Sequence, residues 1–165
     1  MVVRKLMMWL LAAMVVLVVA VFVSAQAGLL SGKEPSDLGV MDGRLKPPSR
    51  TENSVSSQAA LYADHPMKAY AEIAPIKFTG QGKAAIDRIK RIVETTEGAR
   101  VVRAEPAYLY AQFQTRWLKF VDDAEFFADE GAKAVHVRSA SRIGRKDFGV
   151  NRARIEAIRA RFASD

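Results

Sequence analysis

No cysteine occurs anywhere in the 165 residues, which excludes disulfides, thiol nucleophiles and cysteine-ligated metals together. Histidine is nearly missing too: His65 and His136 are the only two, too few for a histidine-rich zinc site. Glycine-rich phosphate loops, internal repeats and long blocks of like charge are also lacking. With these gone, no cofactor is expected. The interleaving of aromatic and basic residues that reads nucleic acid is not found either, so nucleic acid is not an expected partner.

Charge of one sign is only mildly in excess. The formal net charge is +7; setting aside Arg4 and Lys5 leaves 23 basic against 18 acidic residues, a balance of +5 spread along the chain. Such a balance suits solubility and weak attraction to anionic surfaces rather than a dedicated polyanion site.

Long uncharged stretches are confined to one place. Residues 6–23 carry no charge and include Trp9, Leu10, Leu11, Val15, Val16, Leu17 and Phe22. As a helix these eighteen residues rise about 27 Å, close to the hydrocarbon thickness of a bilayer. No polar stripe interrupts them, which argues against a buried core helix. Arg4 and Lys5 precede the run and are expected to stay in the cytoplasm, so the rest of the chain is translocated. Two fates are open. The segment is retained as an inner-membrane anchor with the domain in the periplasm or another extracytoplasmic space, or it is removed after Ala27, because Ala25-Gln26-Ala27 suits signal peptidase.

Three parts follow: residues 1–27 as signal anchor or signal peptide, 28–52 as linker and lead-in, and 53–165 as one domain of ordinary size. The lead-in holds Gly28, Gly32, Pro35, Gly39, Gly43, Pro47 and Pro48 with no sustained period. Residues 70–79, with Pro75, read as a short edge strand. Residues 82–97 place Ile86, Ile89, Ile92 and Val93 at helical spacing, with Gly98 as terminator. Residues 100–105, 108–115, 120–128 and 134–142 alternate like strands. Residues 147–162 form a second helix with Ile155, Ile158 and Phe162 on one stripe and Asp147 as N-cap. The expected fold is α+β: a mainly antiparallel sheet with two amphipathic helices on one face, its other face partly open, behind one N-terminal transmembrane or signal helix.

The densest chemistry lies in Phe120-Val121-Asp122-Asp123-Ala124-Glu125-Phe126-Phe127 and in Val135-His136-Val137-Arg138-Ser139-Ala140-Ser141-Arg142. With Glu130-Gly131 as a two-residue turn, Asp123 faces Arg138, Glu125 faces His136, Ala124 faces Val137 and Phe126 faces Val135, giving one ionic and one apolar face. The candidate ligand-binding residues are Asp122, Asp123, Glu125, Arg138, Ser139, Ser141, Arg142, Asp147, Asn151 and Arg152. Arg forks suit a carboxylate, phosphate or sugar acid, and a carboxylate pair suits acid–base work. The same residues equally form a solvated ladder that fixes register. Gly144-Arg145-Lys146-Asp147-Phe148-Gly149 puts basic residues at a helix start, where free amides can hold an anion or Asp147 can cap. Ser54, Ser56 and Ser57 have no glycine-flanked elbow and read as turn or cap residues. Tyr108, Tyr110, Phe113 and Trp117 suit packing, or stacking on a sugar or base.

Several stretches, in order, carry a resemblance: Asn53-Ser54-Val55-Ser56-Ser57, Tyr108-Leu109-Tyr110-Ala111, Phe120-Val121-Asp122-Asp123-Ala124-Glu125-Phe126, Arg138-Ser139-Ala140-Ser141-Arg142-Ile143-Gly144 and Asp147-Phe148-Gly149-Val150-Asn151-Arg152. From about residue 45 to 162 the chain resembles the domain-of-unknown-function family 1499 of bacterial envelope proteins and plastid-containing organisms. Similar members often carry cysteines near the first motif, where this chain has Pro47, Pro48 and Ser54. The resemblance implies a compact envelope domain behind a signal or membrane segment and brings no catalytic residue with it.

The expectation for function is a membrane-anchored, non-enzymatic module, contacting the membrane through residues 6–23 and binding an anionic ligand, lipid head group or envelope partner. The rivals are a hydrolase or isomerase on an envelope saccharide or lipid using Asp122, Asp123 or Glu125, and a structural assembly partner. A pocket with a displaced carboxylate pKa favours the enzyme, and mutually paired groups favour the scaffold.

Overall fold

A computed structural model describes residues 2–164. Helix α1 (Val2–Gln26) is apolar on every side, and Ala25 is its buried residue. At 25 residues it runs about 37 Å, long enough to cross a bilayer with some tilt.

The remainder is one six-stranded antiparallel sheet with flanking helices. In chain order come β1 (Ser54–Ser56), a 3₁₀ turn (Ala59–Leu61), α2 (Lys68–Ala71), β2 (Ile76–Lys77), α3 (Gly82–Glu94), β3 (Ala99–Glu105), β4 (Tyr108–Gln114), β5 (Val121–Asp129), β6 (Ala134–Ser141) and α4 (Val150–Ser164). The sheet order is β1-β6-β5-β4-β3, and β2 joins the same β6 edge as β1. The expected α+β architecture with two amphipathic helices on one face is therefore the observed one. At the far edge β3 is mostly exposed and bulges between Val101 and Arg103, with Arg100, Arg103 and Glu105 deterring edge-to-edge pairing.

Helices α3 and α4 cover one face. Ile86, Ile89, Ile92 and Val93 meet Ile155, Ile158 and Phe162 over Leu109, Phe113, Phe126, Val135 and Val137 in the main core. The stripe spacing on each helix and the period of two on each strand bring these side chains together. α3 stops where the hydroxyls of Thr95 and Thr96 donate to the Ile92 carbonyl. Gly98 then turns at φ 74°, with its Cα side so close to the sheet that a Cβ would stand 2.4 Å from the Gln114 carbonyl oxygen. Only glycine satisfies both demands.

Three expectations are corrected. The β5–β6 loop is four residues long, so Glu125 faces Arg138, Ala124 faces Ser139, Phe126 faces Val137, Phe127 faces His136 and Asp123 faces Ala140. Lys133, not Gly131, takes the left-handed conformation at the turn, at φ 47°. The shift is two residues, which leaves every side chain on its expected face and is invisible to an alternation pattern. Residues 70–79 are not a strand throughout: α2 ends at Ala71, Glu72 makes an isolated bridge to Ser56, and only Ile76 and Lys77 form a strand, against Val135 and Ala134. Lastly, the second sheet face is not open. Residues 34–47 lie across it, burying Leu45 against Tyr108 and Tyr110 with Leu38, Val40 and Phe127 alongside.

Candidate functional site

The ten candidate residues do not share one groove. Strand alternation divides them between the two faces of the sheet, and a third arrangement sits at the β5–β6 turn.

On the face beneath the 34–47 strap, Glu125 is fully buried. Its Oε1 accepts hydrogen bonds from the Tyr108 hydroxyl and the Gly39 amide, both at 2.8 Å. Its Oε2 lies 3.6 Å from Arg138 Nη1 and has no hydrogen-bond partner. Arg138 is itself buried, and its Nε donates to the Pro47 carbonyl at 3.2 Å. Burial pushes the Glu125 carboxyl up, against the opposing pull of Arg138, Tyr108 and the Gly39 amide. Burial likewise pushes the Arg138 guanidinium down, with Glu125 opposing. Both shifts say that desolvation outweighs the attraction across the pair.

One step along the strand, Asp123 is gripped at both oxygens by Arg142, Nε at 2.8 Å and Nη2 at 2.7 Å. The Tyr110 hydroxyl donates to the same carboxylate at 2.5 Å and accepts from Gln112 Nε2 at 2.8 Å. Glu34 from the strap closes the set, accepting from Gln112 at 3.0 Å. The Asp123 hydrogen bonds raise the Arg142 pKa, and burial pushes the Tyr110 phenol to about 12. This bidentate pair is the arrangement in which arginine and carboxylate lose least on desolvation.

Asp122 points to the helix side, where Arg154 Nη2 reaches it at 2.5 Å. Arg154 also donates through Nη1 to Asn151 Oδ1 at 2.7 Å and stacks over Phe113. Asn151, fully buried, is the hub. Its Oδ1 accepts from Ser139 at 2.6 Å, and its Nδ2 faces Asp147 Oδ2 at 2.9 Å, Ser141 Oγ at 3.0 Å and the Asn53 carbonyl at 3.3 Å. Asp147 accepts from the amides of Gly149 and Asn151 and from the Tyr70 hydroxyl. Burial would raise its pKa, but these donors win and lower it. The amides at the start of α4 are therefore engaged by the protein's own carboxylate. Arg152 stands apart, donating to the Tyr70 carbonyl at 2.6 Å.

Ser57, set aside on sequence grounds, lies with its Oγ 3.3 Å from His136 Nδ1, while His136 Nε2 is 3.8 Å from Asp129 Oδ2. The order of groups is that of a nucleophile relay, yet Ser57 Oγ also accepts from the Val137 amide at 2.8 Å, a bond that fastens β1 to β6. His136 stacks on Phe127, and burial lowers its pKa, with Asp129 opposing and Lys77 assisting. Because the folded imidazole resists protonation, the unfolded chain takes up the proton first as pH falls through about 6.5. His136 thus contributes stability above that value which is lost on acidification. The fall in melting temperature between pH 7.5 and 5.5 is expected to be smaller in His136→Gln than in the parent protein, and equal slopes would contradict this assignment.

A cavity of about 710 Å³ opens between α3 and α4, with Ile76, Phe78, Arg88, Arg91 and Phe162 on its walls. Its walls come from three separate stretches, 75–79, 84–91 and 159–163, so no single local pattern marks it. Among the described residues, no cluster of three or more His, Asp or Glu side chains is placed to hold a metal ion.

Arg154 and Tyr70 also went unnoticed in sequence, although one had a signal. Asn151, Arg154, Ile155, Ile158 and Phe162 occupy one helical stripe, so Arg154 had to face the sheet. Tyr70 gives no comparable sign, since its partner lies 77 residues away.

Fold and site together define a small α+β domain, sealed on both sheet faces, behind an apolar helix. Residues 44–162 match the model of the family described as a protein of unknown function (DUF1499), and the chain belongs to that family. No curated protein and no solved structure matches the chain.

Proposed function

We propose that the protein is a membrane-anchored accessory module without enzymatic activity, held by α1 with the domain on the non-cytoplasmic side and seated on anionic head groups. One observation carries this reading: Gln26 Nε2, at the end of α1, donates to the Trp117 carbonyl at 2.9 Å. That bond sets the β4–β5 loop beside the point where the helix leaves the bilayer. In this loop Trp117 is 64% exposed, with Leu118 next to it and Arg116 stacked at 5.1 Å over the indole. Arg116 and Lys119 make no ion pair among the described residues.

The β6–α4 loop leaves the same end of the sheet, because β5 runs antiparallel to both neighbours. It presents Ile143, Arg145 and Phe148, the last 92% exposed and at φ 53°. A bulky ring held in a left-handed conformation and left in the open is a strained arrangement that points to a contact outside the chain. An indole with cations fits the head-group layer, where aromatic rings collect and each basic residue near an anionic surface adds roughly 1 kcal/mol. The engagement of Asp122, Asp123 and Glu125 by internal partners supports a structural role for them over acid–base catalysis, and supports the non-enzymatic reading.

Tryptophan offers a direct test, as Trp9 and Trp117 are the only two. In the Trp9→Phe variant reconstituted in vesicles, Trp117 emission is expected to be quenched by lipids brominated near the head group more than by lipids brominated near the chain end. The quenching is expected to weaken in Arg116→Glu/Lys119→Glu. Emission indifferent to brominated lipid would place the loop in water and overturn the reading.

A further inference from the structure

We infer that the α3–α4 groove is a binding site for a single-chain carboxylate amphiphile of the fatty-acid type. The site is separate from the membrane-facing end. β2 borders the groove and joins β6 at Ala134 and Val135, next to the β5–β6 turn, whereas α1 ends at the β4–β5 loop, at the opposite end of the strands.

The floor is apolar: Ile76, Phe78 and Phe162 are each at least nine-tenths buried. The walls are cationic. Lys77, Arg88, Arg91 and Arg159 border the groove, and no carboxylate among the described residues does. Arg159 is committed, since its two terminal nitrogens donate to the carbonyls of Pro75 and Ala74 at 2.6 Å. Arg88 is not. Its guanidinium stacks 4.6 Å from the centre of the Phe162 ring, and its Nε and Nη2 are buried without a hydrogen-bond acceptor. Lys77 and Arg91 form no ion pair among the described residues.

Two N–H donors of Arg88 are thus buried without an acceptor, and buried donors in folded proteins are rarely left so. A planar carboxylate offers two acceptor oxygens in the geometry of the guanidinium donors, so one such head can meet both. Arg91 lies one helical turn on from Arg88 and adds a second, solvent-screened attraction to the same head. The apolar floor asks for a hydrocarbon body. A cavity of about 710 Å³ falls within the range of small-molecule sites. A carboxylate with a single alkyl chain meets each requirement: the head lies by Arg88 and Arg91, and the chain runs over Ile76, Phe78 and Phe162.

The test uses the full-length protein in phosphatidylcholine nanodiscs, titrated with dodecanoate carrying ¹³C at the carboxyl carbon and read by NMR against empty discs. Saturable binding above the empty-disc background is expected, competed by unlabelled dodecanoate and not by dodecanol or acetate. Arg88→Met, which keeps the stem against Phe162, is expected to weaken binding at least about tenfold, in line with loss of one charge-assisted hydrogen bond. Arg91→Glu changes an exposed side chain with no hydrogen bond or ion pair among the described residues, and its melting temperature, measured alongside, separates the expected weakening from unfolding. Signals identical in loaded and empty discs, competition by dodecanol equal to that by dodecanoate, or unchanged affinity in both variants would each overturn the site.

Discussion

Arg138→Met is expected to cost about 3 to 5 kcal/mol of stability at neutral pH, whereas the double variant Arg138→Met/Glu125→Gln recovers most of that loss. Removing the guanidinium alone strands a carboxylate that has no exposed surface. Removing both charges leaves a glutamine oxygen to accept from Tyr108 and Gly39, the two donors that hold Glu125 Oε1. The wild-type pair is imperfect, 3.6 Å apart with Oε2 unbonded, so little net attraction is given up with it.

The sign of the pH effect is fixed by the same geometry. Burial already raises the Glu125 pKa above its ordinary value, and without Arg138 it rises further. A folded state that binds the proton more tightly than the unfolded one gains stability as pH falls, in full below the ordinary glutamate value, and loses it as pH rises through the folded value. The deficit of Arg138→Met should therefore shrink on acidification. Urea midpoints at neutral and mildly acidic pH measure both effects. A deficit independent of pH, or a double variant no better than the single, would remove the pair from its place in the fold.

Asn151→Leu, which keeps the branched outline of the side chain but removes every hydrogen-bonding atom, is expected to cost about 3 kcal/mol. It deprives the Asn53 carbonyl and the Ser139 and Ser141 hydroxyls of a shared partner, and frees Arg154 from one of its acceptors. Asn151→Asp should be at least as damaging at neutral pH, since it sets a second carboxylate 2.9 Å from Asp147 Oδ2, and milder in acid, where that carboxyl is protonated. Thermal melts of the two variants at two pH values separate lost hydrogen bonds from added charge. A leucine variant as stable as the parent would show that the hub does not hold β1, β6 and α4 together.

Much of this layout was legible in the residue pattern. Ile86, Ile89, Ile92 and Val93 announce α3 through spacing alone, and the alternation through Tyr108, Tyr110 and Gln112 against Leu109, Ala111 and Phe113 announces a strand with two different faces. The β5–β6 register was legible only modulo two. Alternation cannot tell Glu125 opposite His136 from Glu125 opposite Arg138, and the loop conformation that decides between them rests on Lys133 adopting a positive φ. The strap was illegible because residues 34–47 bury few apolar side chains. What fastens them is long-range polar contact, Gly39 to Glu125 and Glu34 to Gln112.

By itself the sequence determined the apolar first helix, the α+β class and the face on which each residue of β4, β5 and β6 lies, because those follow from local periods of side-chain direction. Only the tertiary structure decided that the acidic and basic residues answer one another on two separate faces, that a glycine- and proline-containing segment closes one of them, and that a groove with an unmatched arginine remains between α3 and α4. Pairings of this kind join positions many tens of residues apart, and no local period encodes which distant partner a buried charge will find.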